Sequence, residues 1–222
     1  VEASNPLKAF IFANGDANDG PAVRAALDAA PDAWVIAADG GARQAAFFGR
    51  HVHTLLGDMD SLAAAEVEAL VGGGTQVHRH PAEKDETDLE LTLTFAASNG
   101  ATWIRVISAL GGRLDQTLSN VYLLALPILR NLDVRLLAGG QQAWLLYPGE
   151  HTINGSLDDT LSLIPISGEA RGVRTENLYY PLRDETLAFG PARGISNVLT
   201  APQAKVWLQD GVLLAVHTIG RA

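Results

Sequence analysis

The sequence predicts an α/β fold in two parts, a parallel sheet flanked by helices over residues 1–140 and an antiparallel β-sandwich over 141–222. Three observations predict it. Short apolar runs alternate with helical periodicity through the first part, a pattern that implies right-handed crossovers and a parallel sheet. Helical periodicity then disappears after about Gln141. Finally, Gln209-Asp210-Gly211-Val212 sets Asp-Gly between two apolar runs, which reads as a β-hairpin.

The first part resolves into strands at 8–13, 33–38, 52–56, 75–79, 103–108 and 134–137. Helices fall between them at 22–30, 42–48, 62–71, 88–98 and 116–130, and Pro127 ends or kinks the last. The glycine run Gly72-Gly73-Gly74 stops the third helix; it has no GK[ST] continuation and so is not a phosphate loop. Strands of the second part are expected at 143–147, 160–165, 172–182, 186–189, 204–209 and 212–218, separated by Gly, Pro, Asn and Asp. Alternation in Lys205-Val206-Trp207-Leu208-Gln209 fits a sheet with one face on a core.

Composition excludes several functions. The 222 residues are 47% hydrophobic and 18% charged, as in an ordered globular chain. A formal charge of −9 and the lack of any basic run argue against a nucleic-acid surface. There is no cysteine, so thiolate chemistry and disulfides are out. No window reaches the length of a membrane-spanning helix, and the N-terminal segment lacks the basic start and apolar stretch of a signal peptide. A cytoplasmic protein that does not engage membranes is expected.

The chemistry lies in aspartates placed where predicted strands end: Asp39, Asp58 and Asp60, Asp85 and Asp88, and Asp115. A parallel sheet delivers such carboxylates to one edge, where like charges about 4 Å apart repel by about 4 kcal/mol at an effective dielectric of 20. A divalent cation turns that repulsion into attraction. Asp39-Gly40-Gly41 turns from a strand into the helix carrying Arg43, and a helix start beside glycines favours an anion. Asp58 and Asp60, two apart in Gly57-Asp58-Met59-Asp60-Ser61, can point at one metal; Ser61 is placed to cap the next helix, with Glu66 too late for a capping box. Thr87-x-x-Glu90 is a capping box, leaving Lys84 and Asp85 just before the helix. A cation opposes the dipole there, so capping alone does not explain Lys84. Arg113, in Gly111-Gly112-Arg113-Leu114-Asp115, can fork onto phosphate oxygens. His78 and His80 share a strand face without a third ligand nearby and read as a solvated strand end, and no serine has a Gly-x-Ser-x-Gly setting.

The ordered set ADGG, GDMDS, KDETD and GGRLDQ, followed by SLIPISGEARGVRTENLYYPL and GISN, resembles the thiamine pyrophosphokinase family over essentially the whole chain. The resemblance implies a Rossmann-like ATP-binding domain and a β-sandwich domain for thiamine binding and dimerisation. The activity implied is transfer of the terminal diphosphate of ATP to thiamine with Mg²⁺, in a homodimer whose thiamine sites lie between subunits. By motif, Asp58, Asp60 and Asp85 become metal ligands and catalytic groups, with Asp115 and Arg113 in the catalytic set. Asp39, Gly40, Gly41, Arg43, Ser61, Lys84, Thr87 and Asp88 would face ATP, and Gln116, Ser196 and Asn197 would meet thiamine. Asp85 or Asp115 would accept the alcohol proton. The chain departs from the family at Asn14-Gly15-Asp16, a turn usually richer in glycine, and at Asn177, where glycine is common. Two other readings stand beside this one: a diphosphokinase for another hydroxyalkyl heterocycle such as hydroxymethylpterin, and a non-catalytic thiamine- or nucleotide-binding regulator.

Overall fold

The computed structural model describes residues 7–221, so most of the N-terminal segment 1–10, on which the expected absence of a signal peptide rests, lies outside the described residues. The chain divides into two compact units after Gly139.

In the first unit, strands β1 (Leu7–Phe12), β2 (Trp34–Ala38), β3 (Thr54–Gly57), β4 (Gln76–Arg79), β5 (Ala101–Ile107) and β6 (Asp133–Ala138) form one sheet. All pair in parallel, in the order β6-β5-β1-β2-β3-β4. The crossovers carry α1 (Pro21–Ala29), α2 (Gly41–Phe47), α3 (Ala64–Gly72) and α4 (Asp88–Ser98), and α5 (Leu114–Leu123) follows β5. Phe10, Ile11 and Phe12, like Val35, Ile36 and Ala37, are buried throughout, because helices cover both faces and the strands carry continuous apolar runs. One face packs Phe10, Phe12, Val35 and Leu55 with Val23 and Leu27 of α1 and Ala42 and Ala45 of α2. Helix α4 lies against β1, β2, β3 and β5, presenting buried Leu89, Leu93 and Ala96.

Two local expectations fail. The last helix of this unit ends at Leu123 rather than reaching Arg130, and Pro127 opens a separate 3₁₀ turn, Pro127–Leu129. Proline carries no N–H to continue the ladder. Ser61 does not cap α3. The cap position is Ala63, whose N–H donates to the Glu66 carboxylate at 2.8 Å, the half of a capping box that needs no hydroxyl.

The second unit holds two antiparallel sheets. One runs β12 (Asn197–Val198), β9 (Thr160–Pro165), β14 (Leu213–Thr218), β7 (Gln141–Leu146), and the other β11 (Arg183–Leu187), β10 (Ala170–Glu176), β13 (Gln203–Leu208), β8 (Gly149–Asn154). Their shared core takes Leu146, Leu161, Leu163 and Leu213 from the first and Ile153, Val173, Val206 and Leu208 from the second. Strand β8 lacked a sequence signal because only Ile153 of its six residues is buried.

The Asp210-Gly211 hairpin is overturned. Strand β13 pairs with β10 and β8, whereas β14 pairs with β7 and β9, so this turn carries the chain from one sheet to the other. It is pinned elsewhere: Arg171 N–H donates to the Asp210 carbonyl at 2.9 Å. A Cβ on Gly211 would meet the Glu169 carbonyl at 2.7 Å.

Candidate active site

In the first unit the chain steps from β1 through β2, β3 and β4 on one side, then crosses to β5 on the other side of β1. The carboxyl ends of β1 and β5 therefore flank a topological switch point, where open α/β sheets bind ligands. A cleft of about 560 Å³ opens there, walled by Asn14 to Asp16 after β1, Asp39 after β2, Asp58, Asp60 and Ser61 after β3, Lys84 and Glu86 to Leu89 around the start of α4, and Gly111 to Arg113 after β5.

The backbone turns sharply to bring these groups in. Asp39, Met59 and Ser108, each just past a strand, hold left-handed φ values of +44°, +66° and +60°, a conformation that costs L residues energy. Close approach also demands glycine. A Cβ on Gly41 would lie 1.9 Å from the Phe12 carbonyl oxygen, and one on Gly57 3.0 Å from the Asp39 Cβ.

One carboxylate oxygen each from Asp39, Asp58 and Asp60 lie within 4.8 Å of one another. Asp39 is 4% exposed, and its Oδ1 is buried without a hydrogen-bond partner. An unpartnered buried carboxylate oxygen is costly unless a cation completes it. Three hard oxygens around one point suit a divalent cation of the Mg²⁺ type, which keeps waters in its remaining positions. The residues present thus fit such an ion. Ser61 Oγ donates to Asp60 Oδ1 at 3.1 Å, and Asp60 N–H to Asp58 Oδ1 at 3.1 Å, so the loop itself orients two of the three acids.

Lys84 reaches over the cluster. Its Nζ stands 3.0 Å from Asp88 Oδ1 and 3.8 Å from Asp58 Oδ2, and donates to the Pro81 carbonyl at 3.1 Å. Burial works to lower the Lys84 ammonium, but the hydrogen bond to Asp88 and the charges of Asp88, Asp58 and Asp60 hold it above its ordinary value. Burial pushes the Asp88 carboxyl up despite Lys84, aided by Asp58 and Asp39. Thr87 caps α4 as its sequence implied, its Oγ1 accepting from Glu90 N–H at 3.2 Å.

The structure brings Asp39, Asp58, Asp60, Ser61, Lys84, Thr87, Asp88, Arg113 and Gln116 to this one cleft. Asp39, expected beside the metal set, stands inside it. Asp85, expected within the set, is exposed and is not among its members, because the turn before α4 directs Lys84 inward and Asp85 outward. Gly40 and Gly41 start α2 without lining the cleft, and Arg43 is turned away, forked onto Glu66 through Nε at 2.7 Å and Nη2 at 2.6 Å. Arg43 and the Ala63 N–H hold the Glu66 carboxyl down at about 2. Asp115 is exposed and gripped by Arg113, whose Nε lies 3.1 Å away; that grip holds its carboxyl below the usual range.

Ser196 and Asn197 lie in the second unit. Asn197 is buried and engaged: Oδ1 accepts from Tyr180 and Val198 N–H, both at 3.0 Å, and Nδ2 donates to the Tyr180 carbonyl at 2.7 Å. Its amide fixes the loop that exposes Tyr179 and Tyr180. Ser196, with φ +55°, is exposed beside it.

Asn14, Asp16 and Asn120 line the cleft without having been singled out for it. A signal for Asn120 existed, since it stands four residues after Gln116 and shares its helix face; Nδ2 donates to the Ala109 carbonyl at 2.7 Å and ties α5 to the β5 loop.

Comparison with known proteins matches residues 29–136 to the family model of the thiamin pyrophosphokinase catalytic domain. Residues 150–213 match the model of the thiamin pyrophosphokinase vitamin B1 binding domain. A thiamine pyrophosphokinase of Bacillus subtilis is 28% identical over 163 residues, 73% of this chain and 76% of that protein. The crystal structure of thiamine pyrophosphokinase from Bacillus subtilis superposes with a TM-score of 0.84 at 26% identity, covering 96% of this chain and 99% of that one. That from Geobacillus thermodenitrificans gives 0.81 at 26% identity, covering 95% and 97%. The yeast enzyme, 12% identical with a TM-score of 0.78 over 98% of this chain and 88% of that one, shares the fold. With both domain models matched in order along it, the chain belongs to the thiamine pyrophosphokinase family.

Proposed function

We propose that the protein transfers the terminal diphosphate of ATP to the hydroxyethyl oxygen of thiamine, releasing thiamine diphosphate and AMP. The observation that carries this reading is the convergence of three carboxylates and two cations, Lys84 and Arg113, on one cleft at the switch point. A single phosphate-binding pocket needs no acid trio; a metal-bound polyphosphate does.

In the reaction the alcohol oxygen forms a bond to the β-phosphorus while the α–β bridge breaks toward AMP. Asp39, Asp58 and Asp60 would hold Mg²⁺, which when bound would offset charge on the phosphate oxygens. Lys84 and Arg113 face the negative charge that grows on the bridge and the departing AMP. Arg113 must exchange Asp115 for phosphate oxygens, and both its side chain and that of Asp115 are exposed enough to do so. Asp115 is a poor proton acceptor because Arg113 lowers its basicity. Its part is to orient Arg113, and the alcohol proton leaves to solvent, because Asp85, the other expected acceptor, is exposed and does not line the cleft. Gln116, on the cleft wall, meets the acceptor. Ser196 and the exposed Tyr179 and Tyr180 supply a thiamine surface in a homodimer with shared sites. Among the described residues no helix is long and apolar enough to cross a membrane.

The deciding assay measures AMP released from ATP and Mg²⁺ with thiamine, with hydroxymethylpterin, or with neither. Thiamine-dependent AMP release is expected. Release with the pterin alone would move the reading to another diphosphokinase, and thiamine binding without AMP would make the chain a regulator.

A further inference from the structure

Lys84 occupies a place that helix electrostatics disfavours. It precedes the N-terminus of α4 by four residues, where the dipole is positive and a cation is repelled. What holds it is acid: Asp88 at 3.0 Å and Asp58 at 3.8 Å, with Asp60 adding a longer-range attraction. Its side chain is 12% exposed, so little water shares the ammonium. Coverage of the acids is lopsided. Lys84 forms ion pairs with Asp88 and Asp58, whereas Asp39 has no cation beside it in the cluster and its Oδ1, like Asp88 Oδ1, is buried without a hydrogen-bond partner.

We infer that Lys84 is the resident counter-ion of the acid cluster before a divalent ion enters, and that it couples metal binding to nucleotide binding. The inference rests on the metal reading given under Proposed function. Asp58 cannot give its full charge to two cations at once, so an incoming divalent ion loosens the Lys84 contact and is itself opposed by the nearby ammonium. Nucleotide phosphates relieve that opposition by giving Lys84 a new anion. The metal alone therefore binds weakly, the metal with nucleotide binds strongly, and the site is kept from filling wastefully with free cation.

The test is direct titration of the full chain with Mn²⁺, followed by its electron paramagnetic resonance signal, with and without a non-hydrolysable ATP analogue. Wild type, Lys84→Met and Lys84→Arg are compared, with Asp60→Asn marking loss of the site. In wild type the analogue should tighten Mn²⁺ binding by tenfold or more. Lys84→Met should bind Mn²⁺ about tenfold tighter than wild type without nucleotide and lose most of the analogue's effect, while Lys84→Arg should keep the wild-type pattern. Circular dichroism melts confirm that each variant is folded. Equal or weaker Mn²⁺ affinity in folded Lys84→Met overturns the inference while leaving the metal site standing. Failure of wild type to bind Mn²⁺ saturably even with the analogue, or unchanged binding in Asp60→Asn, overturns the metal reading and the inference with it.

Discussion

Replacing Asp39 by Asn should change stability and activity in opposite directions. The carboxylate is buried, and its cluster oxygens lie within 4.8 Å of those of Asp58 and Asp60. At that separation and an effective dielectric of 20, each like-charge pair costs about 3.5 kcal/mol. The exposure of Asp60 and the Lys84 ammonium 3.8 Å from Asp58 screen much of this, leaving a net relief of about 1–2 kcal/mol when the charge is removed without a change in volume. For a chain of this size that is about 2–8 °C in Tm. In chelator, therefore, Asp39→Asn should melt above wild type. In saturating Mg²⁺ the order should reverse, because wild type gains binding free energy that the variant forfeits. AMP release with thiamine should fall by about 100-fold or more, equivalent to about 3 kcal/mol of barrier. Calorimetric melts in the two buffers and a coupled AMP assay read all three quantities. A variant that melts below wild type in chelator, or turns over at the wild-type rate, would refute a repelling trio completed by a cation.

Gly41→Ala should cost about 1–3 kcal/mol or more in urea unfolding, because its Cβ would meet the Phe12 carbonyl at 1.9 Å and backbone must shift; an unchanged midpoint would contradict that approach. Arg43→Ala should leave AMP release nearly intact, since its guanidinium serves Glu66 rather than the cleft. The folded-state Glu66 carboxyl is depressed to about 2 from an ordinary 4.5, so its contribution is present above the unfolded value and lost as pH falls through that window. Arg43→Ala should shrink this acid-side loss in melts across the window, and an identical profile would refute it. Asn197→Ala strands two backbone N–H groups and a carbonyl and should cost about 2–4 kcal/mol, whereas Ser196→Ala should leave the melt unchanged and weaken thiamine use. Mixing Asp58→Asn with Ser196→Ala subunits should restore activity as dimers exchange; no recovery, with exchange verified by native mass spectrometry, would mean that each chain builds its own site.

The sequence by itself determined the elements whose signals are local. Thr87 and Glu90 announced the start of α4, and Ala-rich apolar runs such as Trp34–Ala38 could only be strands covered on both faces. It determined also that Asp39, Asp58 and Asp60 end strands, which a parallel sheet must bring to one edge. What it left open depends on distances between segments far apart in the chain. Asp-Gly at 210–211 is equally compatible with a hairpin and with a step between sheets, and only the pairing partners of β13 and β14 decide. Likewise Lys84 and Asp85 are adjacent in sequence, and Arg43 and Arg113 are alike in motif. Which of each pair turns inward was set by the partners the fold places nearby, Asp88 and Asp58 for Lys84 and Glu66 for Arg43. Charges are written in the sequence, but the energy of a charge is fixed by what stands within a few ångströms of it, and that is a property of the tertiary structure alone.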